Sequence, residues 1–233
     1  MTDTFAFENT GSAEGDSELR IIMRIRALLK KADGAATDAE RDAYTAKAAE
    51  LAAKYGVEAA GSAEDDMELK EYELEGDFVE MTGRLFYRVQ EAVGCKAIVT
   101  HHGAGLTVIG YCSDVARGDI LATCLGLAMN TGASKLAGDG ATAPMMKGWM
   151  LGFIETAVQR LADAEQRARA RGNAGLLADR AAKVAEVFSD EFPHTTKGRE
   201  ASYDMGAYFA GTRAGRTADI GQARFGDSRR AIG

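Results

Sequence analysis

The sequence predicts an α+β fold: an N-terminal antiparallel helical hairpin, then a small antiparallel sheet in strand-helix-hairpin-helix order packed with several helices. Three observations predict it. The runs SELRIIMRIRALLKKADG and TDAERDAYTAKAAELAAKYG repeat apolar residues at helical spacing and are joined by only a few residues. KAIVTHHGAGLTVIGY holds two β-rich runs around a Gly-containing turn. With 46% apolar and 27% charged residues among 233, the chain has the composition of a folded protein.

Residues 1–16 are rich in Gly, Ser, Thr, Asp and Glu without periodicity and read as a mobile acidic arm. The hairpin spans 17–60. In its first helix Ile21, Ile22, Ile25, Leu28 and Leu29 share a face and Gly34 is a stop; in its second, Thr37 and Glu40 form a capping box and Gly56 is the stop. The pairing sets Ile25, Leu28 and Leu29 against Tyr44, Ala48, Leu51 and Ala52. Residues 61–68 read as a linker, and 69–218 as the main domain.

The main domain opens on LKEYELEGDFVE, an exposed edge strand through Tyr72, Leu74 and Phe78. A helix follows through Leu85, Phe86, Val89 and Val93, ending on Gly94. After the hairpin of strands comes a helix capped by Ser113 or Asp114, with Val115, Ile120, Leu121, Leu125 and Met129 inward. Pro144 opens a long helix whose core contacts are Trp149, Phe153, Val158 and Leu161, ending at Gly172. A helix through Leu177, Val184, Val187 and Phe188 stops before Pro193. The last helix carries Ala207, Ala210, Gly211 and Ala214 on one face, small enough for close approach of another helix. Residues 219–233 form a basic flexible tail.

Three cysteines without a CxxC pair argue against a disulfide framework and for a reducing, cytoplasmic setting. No apolar run reaches the ~18 residues a membrane helix needs, and the acidic start does not resemble a signal peptide. No membrane partner is expected. Charge is uneven: residues 1–80 hold 9 Lys/Arg against 20 Asp/Glu, whereas 196–233 hold 7 against 4.

Chemistry-bearing motifs are few. His101 and His102 with Cys95 and Cys112 suggest a metal, but neighbouring residues on a strand point to opposite faces, so no metal ligand is assigned. Cys95, Cys112 and Cys124 read instead as small core residues. Gly103, Gly105 and Gly110 lie inside a hairpin, out of context for phosphate binding, and GxxxxGK[ST], HExxH and GxSxG do not occur. The acidic run Glu64, Asp65, Asp66 and Glu68 reads as a solvated linker. No catalytic residue and no cofactor is assigned.

The C-terminal end is the better lead. Arg213 and Arg216 near a helix end, then Arg224, Arg229 and Arg230 beside Phe225, could neutralise phosphates while the ring stacks on a base. The plainer alternative is that Arg213 and Arg216 favour the helix C-terminus and pair with local Asp residues.

IRALLKKADGAATDAERDAYTAKAAELAAKYGV, together with the block from GCKAIVTHHGAGLTVIGYCSDVARGD through FPHTTKGREASYDMGAYFAGTRAGRTADIG, resembles a family of uncharacterised proteins of bacteria and tailed phages. That family has a helical-hairpin domain followed by an α+β region, and the resemblance covers about 210 residues. It rests on the Lys-rich end of the first helix, the Lys-Tyr-Gly exit, and the strand-to-helix junction at Ile109, Gly110 and Asp114. Gly148 and Phe153 in the long helix and the Gly/Ala-rich last helix complete it. It implies a phage or mobile-element origin and brings no activity. The strand-helix-hairpin-helix order also resembles double-stranded-RNA-binding and single-strand-annealing folds. Ser113, Asp114 and Asp119, however, occupy the turn where such a domain needs a Lys cluster.

The expectation is a non-enzymatic accessory protein that binds DNA or RNA through Arg213, Arg216, Arg224, Phe225, Arg229 and Arg230, with Lys30 and Lys31 as weaker contacts. The alternatives are a module that docks a host or phage protein or a second copy of itself, and an enzyme with a site around His101, His102 or His194.

Overall fold

The structure, a computed structural model, describes residues 66–100, 104–171, 174–195, 202–218 and 220, with scattered positions between 23 and 51. Its elements run β1 (Met67–Glu73), α1 (Val79–Val93), β2 (Lys96–Thr100), β3 (Gly105–Tyr111), α2 (Cys112–Gly138), α3 (Ala143–Arg171), α4 (Ala174–Glu191) and α5 (Met205–Thr217). The fold is α+β, and its sheet is antiparallel in the order β1-β3-β2. β3 is central because it is the most apolar of the three and is buried along most of its length.

β1 is an edge strand. It begins at Met67, within the stretch read as linker, and ends at Glu73, so the strand expected to run through Leu74 and Phe78 is shorter. Gly76 turns the chain with φ 120°, and Phe78 becomes the N-cap of α1. Register pairs Tyr72 with Leu106 and Lys70 with Val108 on one side of β3, and Val99 with Leu106 and Ala97 with Val108 on the other. These residues share one face of the sheet.

α1 buries Leu85, Val89 and Val93 and stops at Gly94 in the left-handed region, whose N–H reaches back to the carbonyls of Gln90 and Glu91. Leu106 and Val108 of β3 meet this face together with Leu121, Leu125 and Met129 of α2 and Met150, Ile154 and Leu161 of α3, forming one core. Gly110 is needed here, since a side chain on it would meet the sulfur of the buried Cys95 at 2.5 Å.

α2 follows β3 without a loop, and its capping differs from expectation. The N-cap is Tyr111, with no side-chain cap bond. The backbone instead supplies an acceptor, as Cys112 N–H donates to the carbonyl of Asp66 at 2.8 Å at the mouth of β1. Ser113 and Asp114 are therefore inside the helix, and Asp114 turns to two arginines.

α3 and α5 pack backbone to backbone through Gly148 and Gly152 of one and Gly211 and Gly215 of the other. A Cβ on Gly211 would collide with the carbonyl oxygen of Trp149, and one on Gly152 with that of Tyr208; at Gly215 it would lie 2.7 Å from the carbonyl oxygen of Phe153. Asp204 caps α5 by accepting from Ala207 N–H at 2.7 Å, and Arg160 of α3 closes its other end by donating to the carbonyls of Gly215 and Ala218.

Most of the N-terminal hairpin expectation, including Ile21, Ile22, Leu29, Gly34, Ala48, Ala52 and Gly56, lies outside the described residues. So do the acidic arm, Gly103, Gly172, Asp219 and residues 221–233, whereas Ile220, assigned to the tail from the sequence, is buried in the main core.

Candidate functional site

The outer face of α5 follows from the close fit of its inner face. With Gly211 and Gly215 buried against α3 and Tyr208 half-buried beside them, residues on the opposite side of the helix must face solvent. At 100° per residue Met205, Phe209, Arg213 and Arg216 fall within an arc of about 80°. Met205 is 53% and Phe209 55% exposed, and both arginines are exposed. Arg213 and Arg216 make no ion pair with a described residue, while Asp219 and Asp227, the aspartates that follow them in sequence, lie outside the described residues. Arg216 does occupy the last turn, where the helix dipole favours it.

Aromatic rings extend this surface. Tyr203, 38% exposed, lies 5.5 Å from the ring of Tyr208, which meets Phe209 edge-on at 5.8 Å. The hydroxyl of Tyr208 donates to Glu155 at 2.5 Å, and this bond, then burial, raises its pKa, so it stays a donor. The N–H of Asp204 donates to the carbonyl of Pro144, which brings the approach to α5 beside the start of α3, where Met145 is exposed. Arg224, Phe225, Arg229 and Arg230 lie outside the described residues, as do His101 and His102.

Two buried polar groups are the other places where chemistry could reside. Asp119 accepts from Lys70 Nζ and the Tyr72 hydroxyl, both at 2.6 Å, and from Gln90 Nε2 at 2.8 Å. Gln90 is fully buried and seated over Gly118, where any side chain would collide with it. Burial, then the charge of Asp119, raises the Tyr72 phenol far above its usual range, so it remains protonated. The second group is built on Arg117, whose Nη1 donates to both carboxylate oxygens of Glu165 at 2.7 and 2.8 Å and whose Nη2 donates to Asp114 at 3.3 Å. Burial, the largest single influence, works against the arginine's charge, but the charge and hydrogen bond of Glu165 together with the charge of Asp114 hold its pKa above the ordinary value. Arg180 of α4 donates to Asp114 at 3.0 Å and stacks on Tyr111 at 3.7 Å.

These groups bind elements together, and their charges are matched within the cluster. Burial, then the charge of Asp114, raises the thiol of Cys95 beside them far above the usual range and favours its protonated form. Cys124 is buried as expected, but Cys112 is exposed, because the first residue of α2 sits at the end of the sheet. Among the described residues no three His, Cys, Asp or Glu side chains converge to hold a metal, and His194 is an exposed residue after α4.

Residues 20–59 match a family described as a protein of unknown function, DUF2786. No curated protein and no solved structure matches the chain. Within the DUF2786 segment Glu40 N–H donates to the Thr37 hydroxyl at 3.2 Å, one half of the expected capping box. Ile25 is fully buried against Ile120 and Cys124 of α2, with Leu28 and Leu51 packed beside it. Lys31 lies over the ring of Tyr44 at 5.8 Å. Among the described residues no helix is long and apolar enough to cross a membrane.

Met205, Phe209 and Tyr203 are surface residues that sequence reasoning does not single out. A signal for Met205 and Phe209 is nevertheless present. A stripe of small residues on one side of a helix implies docking there, which leaves whatever lies opposite in solvent.

Proposed function

We propose that this chain is a non-enzymatic accessory protein of a phage or mobile element that binds nucleic acid. Its contact surface is the outer face of α5 continued by the basic C-terminal segment. The observation that carries the reading is the alignment of exposed Arg213 and Arg216 with exposed Phe209 on a helix held rigidly by its glycines. Guanidinium groups without carboxylate partners among the described residues are available to phosphates, and the acidic balance of the rest of the chain confines that attraction to this end. The phage or mobile-element origin rests on the resemblance alone.

The test is binding of the full chain to labelled DNA and RNA across a salt series. Affinity should fall steeply with salt, and the slope should decrease by about 2 in R213A/R216A, one for each phosphate that is no longer neutralised. Replacing Arg224, Arg229 and Arg230 should weaken binding further. No binding at low salt, or binding unchanged in these variants, refutes the reading.

The exposed apolar cluster of Met145, Tyr203, Met205 and Phe209 favours a second reading, a module that docks another protein or a second copy of itself. A mass that rises with concentration in light scattering, and returns to monomer in M205A/F209A, would support self-association.

A further inference from the structure

Resting on the nucleic-acid reading, we infer that the α5 surface selects unpaired strands over duplex. Phe209 takes the face of a base, and Arg213 and Arg216 take phosphates of the same strand. In a duplex the faces of the bases are covered by their neighbours, so a protruding aromatic ring gains nothing from it; an unpaired base offers its π-face freely. Phe209 presents such a ring. It is more than half exposed on the convex side of a helix, and its only aromatic neighbour among the described residues, Tyr208, meets it edge-on and leaves its faces uncovered by another ring.

The spacing suits one strand. At 1.5 Å per residue Arg213 lies about 6 Å and Arg216 about 10 Å along the axis from Phe209, within reach of successive phosphates of one strand. Among the described residues neither arginine has a carboxylate partner: Asp204 accepts from the N–H of Ala207 and Glu155 from the hydroxyl of Tyr208. A ring and guanidinium groups read base faces and phosphates, and neither distinguishes deoxyribose from ribose.

The experiment compares the full chain on oligo-dT, oligo-U and a mixed-sequence DNA duplex of equal length, with F209A, F209W and M205A beside wild type. Oligo-dT and oligo-U should bind within a few-fold of one another and clearly more tightly than duplex. F209A should lose roughly tenfold on both single strands and leave duplex binding unchanged, while F209W retains wild-type affinity. M205A tests whether any apolar neighbour would serve, and it should bind as wild type does. Equal binding of duplex and single strands, or equal losses in M205A and F209A, overturns the inference while salt-dependent binding leaves the nucleic-acid reading standing. Binding to none of the three oligonucleotides overturns both. All three substitutions are at exposed positions, and thermal unfolding of each variant checks that the fold is kept.

Discussion

Replacing Gly211 by alanine sets two known effects against each other. Alanine is favoured over glycine inside a helix by about 1 kcal/mol, which by itself would stabilise α5. The added methyl would collide with the carbonyl oxygen of Trp149 and lie 2.7 Å from its carbonyl carbon and 3.0 Å from Phe153 N. All three atoms belong to the backbone of α3, so no side chain can rotate away and the helices must separate. Overpacking costs about 1–3 kcal/mol, and backbone obstruction places this site in the upper part of that range. The net loss is therefore about 2 kcal/mol, or roughly 4–8 °C in Tm for a chain of this size. Gly126→Ala is the control, because its methyl would meet Leu85 Cδ2 at 3.8 Å and Phe86 Cε2 at 4.0 Å, ordinary contact. It should be neutral or stabilising by up to ~1 kcal/mol. Urea unfolding gives the stabilities, and amide hydrogen exchange shows whether α5 opens first. A Gly211→Ala protein as stable as wild type, with α5 exchange unchanged, would refute backbone contact between α3 and α5.

Asp119→Ala should cost about 2–4 kcal/mol in urea unfolding, because it removes the acceptor of the Tyr72 hydroxyl and leaves the buried Gln90 amide only its longer bond to the carbonyl of Val115 at 3.3 Å; Asp119→Asn keeps an acceptor, and an equal loss in both would count against the network. Arg117→Ala should cost about 3–5 kcal/mol by leaving the buried Glu165 without its counter-charge. The double variant with Glu165→Ala should recover much of that, and a double-mutant cycle showing no coupling would contradict it. Cys112 should react with a thiol reagent in the native protein while Cys95 and Cys124 react only after unfolding; fast labelling of Cys95 would show that its site is open. Since the folded pKa of Cys95 is raised, the unfolded thiol loses its proton first, so stability is full below ~8.5 and falls as pH rises above it, by up to ~1.4 kcal/mol per unit. Cys95→Ala should flatten that decline, and an unchanged slope would assign it to other groups.

The elements legible in the sequence are those whose signal is local. The α1 period with Gly94, the β2-β3 hairpin and the small-residue face of α5 each depend on residues a few positions apart, and the structure has all three. The capping of α2 is not legible, because its partner, Asp66, is brought there by β1 pairing with β3, and no local pattern encodes that pairing. In the candidate site, Arg213 and Arg216 are legible as charges. Phe209 and Met205 are not, since an aromatic or a methionine in a helix is more often core.

Among the described residues the sequence by itself determined the order of the main domain's helices and strands, though not the bounds of β1, because backbone sterics and hydrophobic periodicity act over one or two turns. Only the tertiary structure decided what their faces meet. Asp119 finds Lys70 and Tyr72 49 and 47 positions away, Arg117 finds Glu165 at 48, and Arg180 finds Asp114 at 66. Each charge taken alone resembles ordinary surface charge. It acquires a role when burial strips away its water and makes a distant partner the remaining way to stabilise it. The same reasoning separates the two sides of α5. Its glycines, by meeting α3 at backbone distance, leave Phe209, Arg213 and Arg216 facing outward.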